Sequence, residues 1–149
     1  MATYLTRPAG LLDLAGEQLG TTDWYESTYE RVNHFADATG DYRWMPHPPP
    51  RTADACGNVA ASSHLTLSLL PQALRDLLTI DSAPEAVDYG LNEVRLPTPA
   101  RVGARVRCTG RVLAVQRREA GLEAVFGVTF ESEDAARPLC VAEPVVIYR

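Results

Sequence analysis

Ser63-His64-Leu65-Thr66-Leu67-Ser68-Leu69-Leu70-Pro71-Gln72-Ala73-Leu74-Arg75-Asp76-Leu77-Leu78 is the stretch on which the fold turns. Leu67, Leu70, Leu74, Leu77 and Leu78 recur at helical spacing on one face, and Leu65 and Leu69 widen it. A helix apolar on more than one side belongs in an interior. Ser62 or Ser63 can cap its start. Pro71 lies inside the pattern and predicts a kink, or a restart of the helix, because a proline removes an intrahelical donor.

Downstream the period changes from helical to two. Ala104, Val106 and Cys108 alternate with Arg105, Arg107 and Thr109, and Leu122, Ala124, Phe126, Val128 and Phe130 alternate with mostly polar neighbours. These runs predict strands near 102–117 and 121–132, with further strands near 86–96 and 138–148. Pro144 assigns the last strand to a sheet edge or a bulge. Strands gathered behind one buried helix predict an α+β fold, an antiparallel sheet wrapped around that helix. Upstream, Leu11 to Leu19 predicts a short helix closed by Gly20, and Thr21 to Glu26 a strand or a cap. Tyr29 to Thr39 predicts a second helix. The prolines of Pro46-His47-Pro48-Pro49-Pro50 require a stiff extended loop, and Arg51 to Ala55 suits one helical turn.

A chain of 149 residues suits one domain with a full core, here residues 1–149. A net charge of −5 argues against nucleic acid or an anionic membrane as the main partner. No apolar run is long enough to span a bilayer and no signal-peptide pattern opens the chain. Cys56, Cys108 and Cys140 lack metal-ligand spacing and read as reduced thiols, which suits a cytoplasmic protein. The sequence contains no phosphate-binding loop, dinucleotide fingerprint or nucleophile elbow.

The chemistry points to Phe35-Ala36-Asp37-Ala38-Thr39-Gly40-Asp41. Gly40 can close the helix in the left-handed conformation. Asp41 then sits past a helix C-terminus, where the negative dipole end predicts a raised carboxyl pKa. A carboxylate so placed, near a histidine, is a candidate acid–base pair, against the plainer reading of a solvated loop Asp.

Three ordered motifs carry a family resemblance: Phe-Ala-Asp-Ala-Thr-Gly-Asp at 35–41, Leu-Thr-Leu-Ser-Leu-Leu-Pro at 65–71, and Tyr-Gly-Leu-Asn-Glu-Val-Arg-Leu-Pro-Thr-Pro at 89–99. Together they resemble the MaoC-like, (R)-specific enoyl-CoA hydratases, from about Leu11 to Tyr148. The resemblance implies the hotdog fold, a homodimer, and acyl-thioester tunnels near the subunit interface. It implies addition of water to a trans-2-enoyl thioester, or its removal. No cofactor is implied, since coenzyme A or a carrier protein arrives as part of the substrate. The family pattern is Gly-Asp, four residues, then His, with a second Asp two residues later. A Gly opening the long helix, after Ala-His, offers its N–H to the thioester carbonyl.

Asp41 matches the acid of that pattern. The histidine position is Pro46, with His47 one place late, and the second acid falls on Pro48. The Ala-His-Gly triplet reads Ala61-Ser62-Ser63. His64 lies two positions beyond the lost histidine, about 200° around a straight helix, and faces elsewhere on that geometry.

The candidate catalytic residues are thus Asp41 and His47, His47 being either in the site or an exposed loop residue. The candidate substrate-binding residues are Trp44, Ser62, Ser63 and His64. Ser62 and Ser63 also read as helix caps, Trp44 as pocket wall or core, His64 as core or pocket lining, and His34 as a surface residue. Arg43 reads as solvated. Arg101, Arg105, Arg107 and Arg111 read as a solvated sheet face or as contacts for a phosphate on the thioester carrier. Three functions compete: a hydratase or dehydratase with a non-standard site, an isomerase or cyclase acting on a polyketide-like chain, and a non-catalytic acyl-binding or partner subunit.

Overall fold

A computed structural model describes residues 2–44, 60–82 and 84–149. Its largest unit is built from the period-two segments. β6 (Arg105–Arg118) and β7 (Gly121–Ser132) form a long antiparallel hairpin, and β8 (Cys140–Tyr148) pairs with the far side of β7. Along β7 alternate residues are buried, with Phe126 and Phe130 fully so. β5 (Ala86–Arg95) adds to β8, and β2 (Gln18–Thr21) to β6, giving the order β2-β6-β7-β8-β5. The short β3 (Tyr25–Glu26) extends the β6 edge. A separate parallel pair joins β1 (Thr3–Leu5) to β4 (Leu78–Ile80).

The leucine-rich stretch lies on this sheet in two pieces. α2 runs Ser63–Ser68 and α3 runs Leu70–Leu77, with the break at Leu69. Pro71 falls in the first turn of α3, where a missing N–H goes unused in any helix, so the restart expected there is what forms. Leu69, Ala73 and Leu77 are buried with Val106, Val112, Phe126 and Phe130 in the main core. Close approach of α3 depends on Gly110: a Cβ there would sit 2.7 Å from the Leu77 Cδ1. Leu78 leaves the helix for β4.

One local expectation is corrected, and of the two readings of Pro144, edge or bulge, the bulge is what forms. Leu11 to Leu19 is not one helix. A 3-10 helix covers Pro8–Leu14, and Gln18–Thr21 becomes β2. The sheet edge captures the segment: Gly16 donates to the Val112 carbonyl at 2.8 Å, and Val112 donates to the Glu17 carbonyl at 3.0 Å. Pro144 does not mark an edge, because β8 is paired on both sides. The β5–β8 ladder instead slips beyond the Leu91–Pro144 pair, between Leu91 and Val94, which accommodates the residue without an N–H. Among the described residues, no helix is long and apolar enough to cross a membrane.

Candidate functional site

α1 runs Tyr29–Thr39, the bounds expected from sequence. Thr28 caps its start, accepting from the Arg31 N–H at 3.1 Å. Gly40 ends it at φ 72°, donating to the Ala36 carbonyl at 2.8 Å. The chain therefore turns sharply and delivers Asp41 beyond the last turn.

A second, smaller core holds α1 against the start of α2. Val32, Ala61, Leu65 and Val102 are buried in it, with Tyr29 and Phe35 packed alongside. Ala61 is pinned by its N–H to the Ala100 carbonyl at 2.7 Å. Ser62 is buried and caps α2, its Oγ accepting from the His64 N–H at 3.3 Å. Ser63 is half-buried at the first helical position, and His64 beside it is exposed.

The Asp41 carboxylate is clamped. Oδ1 accepts from Arg43 Nε at 2.8 Å and from the Arg43 N–H at 3.2 Å, and Oδ2 accepts from Arg43 Nη2 at 2.8 Å. This guanidinium holds the carboxyl down at about pH 2, and the nearby His64 adds to the effect. The raised pKa expected from the helix end is therefore corrected. A full charge in a two-pronged contact outweighs the half-charge of a helix terminus. Arg43 is mostly exposed, as expected, yet it is paired.

Trp44 is 37% exposed at the end of this described segment. His47, the prolines around it, the Arg51–Ala55 turn and Cys56 lie outside the described residues. His34 is exposed on α1, in keeping with a surface role. The structure thus brings Asp41, Ser62, Ser63 and His64 to the junction of α1 and α2.

Cavities of about 600 Å³ and 330 Å³ lie further along the helices. The smaller is lined by Leu67, Leu70, Pro71, Leu91 and Val145, and the larger by Leu74, Leu78, Ile80, Val146 and Tyr148.

The basic stripe is mostly engaged within the fold. Arg105 pairs with Glu133 at 2.5 Å and Arg107 with Glu131 at 2.6 Å, and both guanidiniums lie over the Trp24 ring. Arg111 donates to the Gly16 carbonyl at 3.1 Å. A solvated sheet face with cross-strand ion pairs accounts for these residues. One contact escaped the sequence reading: Tyr25 donates to Asp76 Oδ2 at 2.6 Å, tying β3 to α3 across 51 positions. No local signal predicts a pair so distant. Cys108 and Cys140 are free and buried. Burial pushes the thiols up to about 12 and about 11, away from reactivity.

An antiparallel sheet in the order β2-β6-β7-β8-β5, laid around a broken central helix, defines a hotdog-fold protein. The chain is 42% identical over 142 residues to 3-hydroxyacyl-thioester dehydratase Z of Mycobacterium tuberculosis, spanning 94% of each. It is 31% identical over 145 residues to Nodulation protein N of Rhizobium meliloti, spanning 90% of this chain and 86% of that one. Among solved structures, the (R)-hydratase from A. caviae involved in PHA biosynthesis matches with a TM-score of 0.64 at 19% identity, over 87% of this chain and 96% of that chain. No family model matches. The chain belongs to the MaoC-like hotdog family.

Proposed function

We propose that the chain is a hydro-lyase, a hydratase or dehydratase of enoyl and 3-hydroxyacyl thioesters, with a site that departs from the family pattern. The observation that carries this reading is Asp41, delivered past the Gly40 cap and held ionised beside the α2 start. The 42% identity to a named 3-hydroxyacyl-thioester dehydratase supports the reaction class. In this reading Asp41 acts on the reacting centre together with a histidine. In the same reading the Ser63 N–H, at the first position of α2 where a helix supplies no acceptor of its own, meets the thioester carbonyl. Ser62, His64 and Trp44 border the substrate. His47 is the loop candidate for the histidine role. Coenzyme A or a carrier protein enters with the acyl chain rather than as a cofactor.

The assembly expected is a homodimer in the cytoplasm. β5 is the outer strand of the sheet, and it leaves Tyr89 and Leu91 exposed. An open ten-residue edge of this kind is usually covered by another strand. A monodisperse monomer at micromolar concentration in solution scattering overturns the dimer.

The function is tested with a panel of enoyl-CoA substrates of increasing length. Crotonyl-CoA turnover that falls by about 10²–10⁴ in Asp41→Asn supports the reading. Turnover unchanged in Asp41→Asn overturns it. Binding without turnover of any panel member favours the isomerase, cyclase or partner-subunit alternatives, to which Pro46 at the family's histidine position gives weight.

A further inference from the structure

β6 ends on an arginine where its pattern calls for an apolar side chain. Val106, Cys108 and Val112 face the core, and beyond the bulge after Val112 the inward row continues at Val115 and Arg117. Arg117 stands opposite Leu122 of β7, and Leu122 opposite Tyr148 of β8. Residues directly opposite one another share a face of the sheet. One rung across three strands therefore carries an arginine, a leucine and a tyrosine on the core side, with Leu122 and Tyr148 buried. Together with Pro8, at the start of the 3-10 helix, they line a cavity of about 380 Å³.

Two further arginines, Arg118 and Arg149, line the same cavity. Arg149 is fixed at two points: its N–H donates to the Glu85 carbonyl at 2.9 Å and its Nε to the Ala120 carbonyl at 3.2 Å. Ala120 lies in the β6–β7 turn, so this side chain reaches across the end of the sheet. Gly121 permits the close approach, since a Cβ there would meet the Tyr148 carbonyl. Arg118 lies 3.3 Å from Glu123 and Arg149 3.7 Å from Glu85, both long for a charge-assisted bond. Arg105 and Arg107, at the other end of β6, each hold a glutamate within 2.6 Å. Arg117 has no ion-pair partner among the described residues. Among the described residues lining the cavity, none is acidic.

We propose that this cavity binds a phosphorylated ligand of nucleotide size, with its phosphates on Arg117, Arg118 and Arg149 and its planar body on Leu122, Tyr148 and Pro8. Arginine forks match phosphate oxygens in two-pronged contacts, and three cations on one cavity exceed what a single carboxylate needs. A volume of about 380 Å³ falls in the range of small-molecule sites, roughly 300–1,000 Å³, and is more than a bare phosphate fills. An apolar floor under a cationic rim suits a flat ring joined to phosphates. The cavity is also remote from Asp41's surroundings. The α1–α2 junction is attached near the start of β6, through the Ser27 N–H to the Ala104 carbonyl at 2.9 Å and the Ala61 N–H to the Ala100 carbonyl at 2.7 Å. From Arg105 to Arg117 the strand runs roughly 40 Å at its ordinary rise. The proposal therefore stands apart from the hydro-lyase reading. An adenine nucleotide has the required chemistry, either free or as the nucleotide end of coenzyme A.

The test titrates the full chain with ADP, adenosine, pyrophosphate and coenzyme A, followed by calorimetry. ADP binding with a Kd below about 1 mM, weakened about tenfold or more in Arg117→Gln, supports the site. Arg117 is exposed, so this variant should keep the parent's melting temperature, and Arg149→Gln provides a second, independent cut. Arg107→Gln, at the other end of the strand, should bind ADP as the parent does. Adenosine and pyrophosphate each lack half of the ligand and should each bind about tenfold more weakly than ADP, or worse. Coenzyme A binding as tightly as ADP, and through Arg117, makes the carrier's nucleotide the source. ADP binding without coenzyme A makes it a free nucleotide. Absence of binding by both at about 5 mM overturns the proposal, as does an affinity unchanged in Arg117→Gln and Arg149→Gln. Pyrophosphate binding as tightly as ADP reduces the cavity to a cationic patch and overturns it too. Asp41→Asn, which lowers turnover under the hydro-lyase reading, should bind ADP like the parent, so the two readings fail separately.

Discussion

The β6–β7 hairpin and the α1–α2 junction are held together in very different ways. In the hairpin, Val106, Cys108, Val112, Phe126 and Phe130 are fully buried, and two cross-strand Arg–Glu pairs tile the outer face. At the junction, four small or medium residues, Val32, Ala61, Leu65 and Val102, make the whole buried cluster. The candidate site residues stand around its rim. A deep core fixes the fold while a shallow one carries the charges, and low local packing is what lets loops and helix ends adapt to a substrate.

That contrast can be broken by mutation. The largest effect expected is from Phe126→Ala, about 3–5 kcal/mol of lost stability, because a fully buried ring leaves a cavity among well-packed neighbours. Leu65→Ala, at 4% exposure, is expected near the lower end of its class, about 2 kcal/mol, because the small cluster can collapse around the gap. Urea unfolding of both variants decides the matter. Equal losses would mean that the junction is as firmly packed as the sheet. Leu65→Ala should also lower turnover more than Phe126→Ala does at a temperature where both are folded, since it loosens the junction from which Asp41 and the Ser63 N–H are presented.

These same two regions differ in how legible they were. The period-two run at 121–132 gave a strand with those bounds, because alternation is enforced residue by residue against a buried face. Helix 29–39 was equally plain, with Thr28 and Gly40 as its signals. The segment from Leu11 misled, since leucine spacing fits a helix while hydrogen bonds from β6, about a hundred residues on in the chain, decide otherwise. The site was legible only in part. The place of Asp41 past a helix end was legible, but its state is set by Arg43, whose partnership depends on a turn that pattern alone does not reveal. His64 was read on a straight helix, where two positions rotate a side chain away. Its exposure beside the buried Leu65 is set by how the start of α2 packs with Val32 of α1, a tertiary relation that helical rotation does not encode.

A smaller effect separates cap from chemistry. Ser62→Ala removes a buried N-cap and should lose about 1 kcal/mol. Ser62→Asn, which keeps a capping oxygen, should restore most of the stability. If turnover follows stability across the pair, Ser62 is a cap. If Ser62→Asn is stable but slow, the hydroxyl meets the substrate.

The smallest effect concerns Arg43, and it is visible mainly against pH. The folded value of about 2 for Asp41 lies below the roughly 3.9 of an unfolded aspartate. The pairing thus contributes stability that is fully present above about pH 4 and is lost as pH falls toward 2. Arg43→Ala removes the main cause and should return the Asp41 carboxyl toward its ordinary range. Parent and variant should then differ slightly in melting temperature at neutral pH and converge in acid. Because the clamp is exposed, the thermal difference is small, and NMR of the Asp41 carboxyl carbon is the sharper measurement. Arg43→Lys adds a further cut. It keeps the charge but not the two-pronged geometry, so a lysine that restores the low carboxyl value but not turnover assigns Arg43 to orientation. Full recovery of both assigns it to charge alone, and a carboxyl that titrates at about 2 in all three proteins refutes the clamp.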